Sequence, residues 1–452
     1  MAYWTNSSVL ALAGGGDPVE AITGRARQVA FEAAEAGWTG PPFDPLQLAE
    51  HLRVPVVPME DVYDARTVPA GAKSVRIEFN PNRPPGRLRF SVAHELAHTF
   101  FPDVAQAAKH RAQTADLAWT DDWQLELLCN IGAAELLMPI GSFPSLAGEA
   151  LSIEHLMQVR QDYQVSAEAL LLRVARLTNE PTGIFAAAHT KPDDARAPFR
   201  LDYTMPSDSW PLPPLPRGLE ISAKSVLSEC TAVGFTAKAE EKWTSNHPLL
   251  WVQCVGIPPY PGHRYPRVGG LVQPKGKRAV QKLGIQYLWG DATMPRGEGP
   301  KILAHIVNDG AARWGAGFAR VVGKKWPDAQ QDFRAWAEER NLRLGKVRLF
   351  DLSPDLAVAH MVAQRGYGPS PKPRIRYGPL LECLSQLAEV AKARRAAVHM
   401  PRIGTGQAGG NWEIIGELIE QCLCKAGVLV TVYDLPETRV PEPAQRTLAL
   451  SH

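Results

Sequence analysis

The chain has 452 residues, 45% of them hydrophobic and 8% aromatic, and a formal net charge of +2. That length suggests about two to four globular domains with real cores. Without a basic run longer than two residues it lacks the electrostatic footprint of a nucleic-acid binder, and direct nucleic-acid contact is not expected. No charged-then-apolar leader and no apolar run of about 18 residues appears, so the expectation is a soluble cytoplasmic protein with no membrane partner.

Residues 1–20 are small and polar, with Gly14-Gly15-Gly16, and read as a fraying end. Residues 21–36 carry helical periodicity. The turn Pro41-Pro42-Phe43-Asp44-Pro45 sets Asp44 to cap a helix through about Leu52. Alternation around Val54, Val56, Val57 and around Val75, Ile77, Phe79 predicts strands. Helices are predicted over 90–101 and 122–137, and a shorter pair over 152–178 with Ser166 as an N-cap. Residues 205–218 contain five prolines and read as a stiff connector or a surface strap. Short strand-like runs fill 219–272. From about residue 280 strands (301–307, 346–352, 357–362, 396–402, 427–433) alternate with helices (315–326, 377–393, 412–425), the pattern of a layered α/β domain. The six cysteines (129, 230, 254, 383, 422, 424) form no C-x-x-C pair. Cys422 and Cys424 would stand ~200° apart on a helix, so reduced buried thiols are expected.

The most specific string is His94-Glu95-Leu96-Ala97-His98. Two histidines at i and i+4 lie about 40° apart on one helix face and can reach one metal ion. The glutamate beside them can hold water and take its proton, as in zinc hydrolases. A catalytic zinc needs a third protein ligand. Glu126 is favoured, because it lies where the second helix would cross the first. Glu135 is the competitor, about 180° around that helix, so both cannot face the metal. Asp103, Asp121 and Asp122 read as caps or solvated acids, His110 as a surface histidine, and Arg89 as an inter-helix contact.

Ala93-His-Glu-Leu-Ala-His98, then Glu126-x-x-Cys129-Asn130 and Leu136-Leu-Met-Pro139, resembles the ImmA/IrrE-type metallopeptidases. Pro42-Phe43-Asp44 and the run from Asp162-Tyr163 through Ser166 to Arg173 share the resemblance, which covers roughly residues 20–205. It implies zinc on His94, His98 and Glu126, with Glu95 as the catalytic base. It also implies a cytoplasmic protease whose protein substrate is a repressor-like regulator, cleaved under stress or phage signals. The helix pair at 152–178 could also be a DNA-binding helix-turn-helix, but its second helix carries few basic residues (Arg173, Arg176), and packing on the zinc domain is the favoured role.

Near the C-terminus, glycines follow strands: Gly290-Asp291, then Asn308 leading to Gly315-Ala316-Gly317-Phe318, then Gly404-Thr405-Gly406-Gln407-Ala408-Gly409-Gly410. Glycines at strand-to-helix junctions let backbone amides approach phosphates. This stretch resembles a macro domain of the branch that holds terminal ADP-ribose glycohydrolase and ADP-ribose-1''-phosphatase. The resemblance implies that Asp291 accepts the adenine amino group. It places Asn308 and Gly315–Phe318 at the distal ribose and Gly404–Gly410 around the diphosphate of an ADP-ribose-type nucleotide. That branch uses a lysine after a central strand and an acid in the second glycine loop. Here the strand runs into Ala363-Gln364, the loop offers Gln407-Ala408, and Lys372 sits in a proline-rich loop. A neutral loop supplies neither nucleophile nor base, which favours binding over turnover.

The expected architecture is multidomain. An α+β zincin-like domain with a helical extension covers 20–183, a connector and small mainly-β bridging region 184–276, and an α/β/α macro domain 277–437. The expected function is a zinc endopeptidase controlled or targeted by ADP-ribose-type binding. The alternatives are an ADP-ribosyl hydrolase with an accessory protease, and a DNA-binding regulator with an inactive zincin.

Overall fold

The structure, a computed structural model, describes residues 4–70, 74–104, 109–110, 122–143, 151–178, 180–260, 262–275, 284–310, 314–340, 342–368 and 370–435. Asp121, the side chain of His110 and the expected boundaries at 276/277 and 437 lie outside the described residues. The chain divides into two compact units, Met1–Lys282 and Leu283–His452.

The first unit opens with helices α1 (Ser7–Ala13), α2 (Pro18–Glu35) and α3 (Pro45–Leu52). Asp17 and Asp44 accept N-terminal amides of α2 and α3, and each is followed by a proline at the first helical position, where no amide is needed. From residue 4 to the end of α1 the chain does not fray as expected. The Gln124 Oε1 accepts the amides of Thr5 and Asn6 at 2.8 and 3.0 Å, and Ser8 donates to Asp103, so α1 is pinned to the core. Asn6 Nδ2 also reaches Asp122 at 3.4 Å. A four-stranded sheet of order β1-β3-β2-β4 follows, from β1 (Val56–Pro58), β2 (Ala65–Pro69), β3 (Val75–Phe79) and β4 (Lys109–His110). Strand β2 was not anticipated, because Ala-Arg-Thr-Val-Pro gives too short an alternation to stand out.

Helix α4 (Pro85–His98) carries the histidine motif and begins five residues before the expected Phe90, since proline suits its first turn. It ends at His98 rather than Phe101, where Thr99 Oγ1 turns back to the Leu96 carbonyl at 2.6 Å. Helix α5 (Asp122–Leu137) packs across it, and α6 (Ile153–Tyr163) and α7 (Ala167–Leu177) pack behind, with Ser166 capping α7. Arg89 of α4 does meet Gln164 between α6 and α7, at 3.1 Å.

Six antiparallel strands complete the unit: β5 (Gly183–His189), β6 (Phe199–Pro206), β7 (Glu220–Ile221), β8 (Thr236–Glu241), β9 (Leu250–Ile257) and β10 (Arg267–Pro274), in order β7-β6-β5-β10-β9-β8. Their side chains alternate between two cores. Ile184, Ala186, Ile257 and Leu271 join the helical core, while Phe185, Ala187, Cys254 and Val272 form a separate one under the outer face. The sheet is therefore packed onto the helices rather than strung beyond them. The proline-rich segment lies as a strap: Leu215 is buried, Trp210 covers Gly183, and His247 Nε2 meets the Pro213 carbonyl at 2.9 Å.

The second unit has one six-stranded sheet of order β11-β16-β15-β12-β14-β13. Its strands are β11 (Ile285–Trp289), β12 (Lys301–Asn308), β13 (Val347–Ser353), β14 (Leu356–Gln364), β15 (Ala397–Pro401) and β16 (Val430–Asp434). All neighbours are parallel except β13, an antiparallel edge. Helices α8 (Gly317–Lys325) and α9 (Pro327–Glu338) set Val322, Phe333 and Trp336 against Leu303, Val358 and Val362. Helix α10 (Tyr377–Arg394) packs on β14 and on α11 (Trp412–Ile419), which runs into a π-turn at Glu420–Cys424. None of the six cysteines forms a disulfide. No helix among the described residues is long and apolar enough to cross a membrane.

Two features of these cores predict their own stability. Glu135 is buried between Arg27 at 2.9 Å and Arg173 at 2.7 Å. Burial works against its charge, but the two guanidinium groups outweigh it and hold the carboxyl below its ordinary range. Replacing Arg173 by Met leaves that buried carboxylate to Arg27 alone, and chemical denaturation should show a loss of up to about 3 kcal/mol. In the second unit, His305 Nε2 meets His360 Nδ1 at 2.7 Å across paired strands, and burial pushes His360 down to about 3. His399 is pushed down to about 4, also by burial. These imidazoles stay neutral folded but take protons once unfolded, so the unfolded chain binds more protons below about pH 6.5. The stability of this unit should fall as pH drops from 6.5 toward 4, by up to roughly 1 kcal/mol per pH unit per histidine. Equal melting temperatures at pH 7 and pH 5 would contradict this.

Candidate metal centre and nucleotide-binding edge

The metal candidates come from α4 and α5, which approach closely because small residues face each other. A Cβ on Gly132 would lie 3.0 Å from that of Ala97. On α4, Val92 and Leu96 turn into the core behind, which leaves His94, Glu95 and His98 buried on the side of α5 and β2.

There the donor atoms converge. The two Nε2 atoms of His94 and His98 stand 3.1 Å apart. Glu126 places Oε2 3.0 Å from His94 Nε2 and Oε1 3.6 Å from His98 Nε2. Ligand atoms about 2.0–2.1 Å from a tetrahedral zinc are separated by roughly 3.3 Å, so these spacings fit one ion. The donor chemistry fits as well: two imidazole nitrogens and a carboxylate facing one point repel unless a cation or proton lies between them. Glu135, the rival third ligand, faces away into its pair with Arg27 and Arg173.

Two positioning groups were given no role from the sequence. Asn130 Oδ1 lies 2.9 Å from His94 Nδ1; accepting that N–H leaves the Nε2 lone pair for the metal. Asn130 sits one helical turn after Glu126, so its spacing on α5 could have revealed it. Thr67 Oγ1 donates to Glu95 Oε2 at 2.8 Å. Thr67 stands on the unforeseen β2, fully buried, and nothing in the sequence marked it.

A cavity of about 1240 Å³ reaches His94, Glu126 and Asn130 and runs on to strands of the six-stranded sheet. Its far wall is charged. Arg267 holds Glu168 through both terminal nitrogens, at 3.1 and 2.8 Å, and Tyr260 donates to Asp202 at 2.8 Å. Burial raises the Asp202 carboxyl against the pull of Arg267. The candidate centre thus opens into a cavity whose walls also carry Glu168, Asp202, Tyr260 and Arg267.

In the second unit the parallel register brings the ends of β11, β12 and β15 to one edge of the sheet. Asp291 follows β11, Asn308 ends β12 with Gly315, Ala316, Gly317 and Phe318 entering α8, and Gly404–Gly410 follow β15. All the glycine-loop residues singled out from the sequence therefore share that edge, where ligands of open parallel sheets bind. Asp291 Oδ1 accepts the Thr293 amide at 2.8 Å, and Asn308 Oδ1 the Gly310 amide at 3.0 Å, so both side chains are set by local turns. Thr405 donates to the Arg402 carbonyl at 2.9 Å. The amides of Gly409 and Gly410 are spent within their loop, on the carbonyls of Gly406 and Gly404. Gly404 has φ +77°, and a Cβ there would lie 2.9 Å from Ile415, so the loop needs glycine for its own folding. Gln407 is exposed and Ala408 buried, and neither brings an acid to the loop.

Residues 53–175 match the Peptidase_M78 family model, the IrrE N-terminal-like domain. Chromodomain-helicase-DNA-binding protein 1-like of Danio rerio and of Mus musculus are 29% and 30% identical over 158 and 182 residues, or 33% and 38% of this chain; the chain spans only 15% and 20% of their lengths. The ADP-ribose 1''-phosphate phosphatase of Lodderomyces elongisporus is 27% identical over 142 residues, 28% of this chain and 86% of that protein. The solved macrodomain protein of Streptomyces coelicolor is 38% identical over 33% of this chain and 98% of its own, with a TM-score of 0.30. The chain thus carries an IrrE N-terminal-like domain at residues 53–175 and, in a C-terminal region, similarity to macrodomain proteins and to an ADP-ribose 1''-phosphate phosphatase.

Proposed function

We propose that this chain is a zinc endopeptidase whose cleavage is controlled or directed by an ADP-ribose-type ligand bound in its macrodomain region. The observation that carries the reading is the convergence of His94, His98 and Glu126 beside a glutamate held by Thr67. The peptidase with its helical extension takes residues 20–183, the β-rich region 184–276, and the macrodomain 277–437.

His94, His98 and Glu126 hold the metal. When bound, zinc supplies Lewis acidity that polarises an amide carbonyl and lowers the pKa of water. The other steps belong to side chains. Thr67 fixes the Glu95 carboxylate by its bond to Oε2, so proton traffic runs through Oε1. Glu95 takes a proton from the attacking water and returns it to the leaving amine. Asn130 keeps His94 in the tautomer that faces the metal. The cleft beyond receives a protein segment, with a repressor-like regulator as the substrate class. A protease conditional on an NAD-derived ligand suits stress or antiphage signalling. Reduced thiols suit the cytoplasm.

In the macrodomain region, Asp291, Asn308, Gly315–Phe318 and Gly404–Gly410 receive the nucleotide. The similarity to an ADP-ribose 1''-phosphate phosphatase supports the ligand class. The absence of an acid at Gln407-Ala408 supports binding without turnover.

Substituting Glu95 by Gln should lower cleavage of an unfolded test protein by about 10²–10⁴-fold while zinc content stays stoichiometric. His94→Ala should lose both. Undiminished cleavage by Glu95→Gln protein would end the peptidase reading. ADP-ribose at about 100 times its Kd should stabilise the protein by about 2.7 kcal/mol in a thermal-shift assay, and Asp291→Ala should erase that shift. Cleavage rates with and without ADP-ribose test the control: equal rates on the physiological substrate would remove it and leave the two activities separate.

A further inference from the structure

The metal centre contains one more donor that the scheme above leaves unused. Cys129 follows Glu126 by three residues on α5, so the two side chains rise from one helix face about 60° apart. The Cys129 sulfur and the ring nitrogens of His94 and His98 all lie within 4.8 Å of one another, and all three residues are buried. Nitrogen at about 2.0–2.1 Å and sulfur at about 2.3 Å from a tetrahedral zinc stand roughly 3.5 Å apart. A small side-chain adjustment therefore brings the thiol onto the same ion as the imidazoles.

The two α5 donors differ in what they face. Glu126 lines the cleft and keeps its side chain 12% exposed, whereas Cys129 is fully buried and does not line it. Thiolate is also the softest donor in the set and among the preferred ligands of zinc.

We propose that Cys129 is a fourth protein ligand, so that the resting centre is His94, His98, Glu126 and Cys129. This rests on the zinc reading of the site but adds a state to it. Four protein donors make a closed centre, while a catalytic zinc keeps one position open. The resting form is then latent, and cleavage requires the sulfur to withdraw.

X-ray absorption at the zinc edge of the zinc-loaded full-length protein decides this. The expected result is one sulfur scatterer per zinc at about 2.3 Å beside nitrogen and oxygen at about 2.0–2.2 Å. Cys129→Ala should keep its zinc and lose the sulfur shell, while His94→Ala should lose the zinc. A nitrogen-and-oxygen shell alone in the unsubstituted protein would overturn the proposal and leave the three-ligand peptidase intact. A sulfur shell that persists in Cys129→Ala would overturn it as well. Failure to bind zinc at all would instead strike the peptidase reading itself. Because the decisive spectrum is that of the unsubstituted chain, the test does not depend on how well either variant folds.

Discussion

The close approach of α4 and α5 is the constraint on which the first unit depends. Gly132 opposite Ala97 lets the two backbones come together, and Ile22 of α2 fills the space beside them at 3.3 Å from where a Cβ would stand. Only at that separation can donors on two helices stand 3.0–3.6 Å apart. The same helix is locked from its other side, where Glu135 holds Arg27 of α2 and Arg173 of α7, and Arg173 also donates to the Met138 carbonyl at 2.8 Å. Nine residues, about half a turn in phase, separate the acid that faces the histidines from the acid that clamps the helix. One α5 therefore does both jobs, and a metal centre on packed helices needs that rigidity: ligand positions must hold within a few tenths of an ångström.

The orientation of each site group comes from a different element. Asn130 on α5 sets the His94 ring on α4, and Thr67 on β2 sets Glu95 on α4. The four-stranded sheet thus positions a side chain of the candidate site. The second sheet and α7 contribute another wall of the cleft, where Glu168 of α7 and Asp202 and Arg267 of the sheet form a half-buried charged network. Such a network is retained at a desolvation cost.

Much of this was legible in the sequence, for reasons that differ between the two regions. His94 and His98 are separated by one helical turn, so their common face follows from geometry alone. Glu126 could be preferred over Glu135 only by guessing which face of α5 crossed α4; in the structure Glu126 stands beside the two histidines and Glu135 between two arginines. The glycine loops were readable because a backbone that bends sharply after a strand demands glycine, as at Gly404 with its φ of +77°. Thr67 stayed hidden because a buried threonine on a five-residue strand looks like any other. The pinning of α1 stayed hidden for a related reason: Gln124 and Asp103 act across more than ninety residues, and no local pattern encodes that distance. The sheet at 183–274 was seen as strands but not as a partner of the helices, since its alternation shows two faces without saying what covers each.

A ligand held in the macrodomain region can alter cleavage only if it binds one state of the peptidase more tightly than another. A tenfold change in the population of an active state corresponds to about 1.4 kcal/mol of differential binding, a modest demand on a nucleotide contact. The harder requirement is that the peptidase have two states to choose between, and rigid helix packing argues against a large rearrangement of α4 and α5. A centre that differs only in whether one buried sulfur on α5 engages the metal meets that requirement. Such a centre would toggle by a side-chain movement, without displacing α4 and α5.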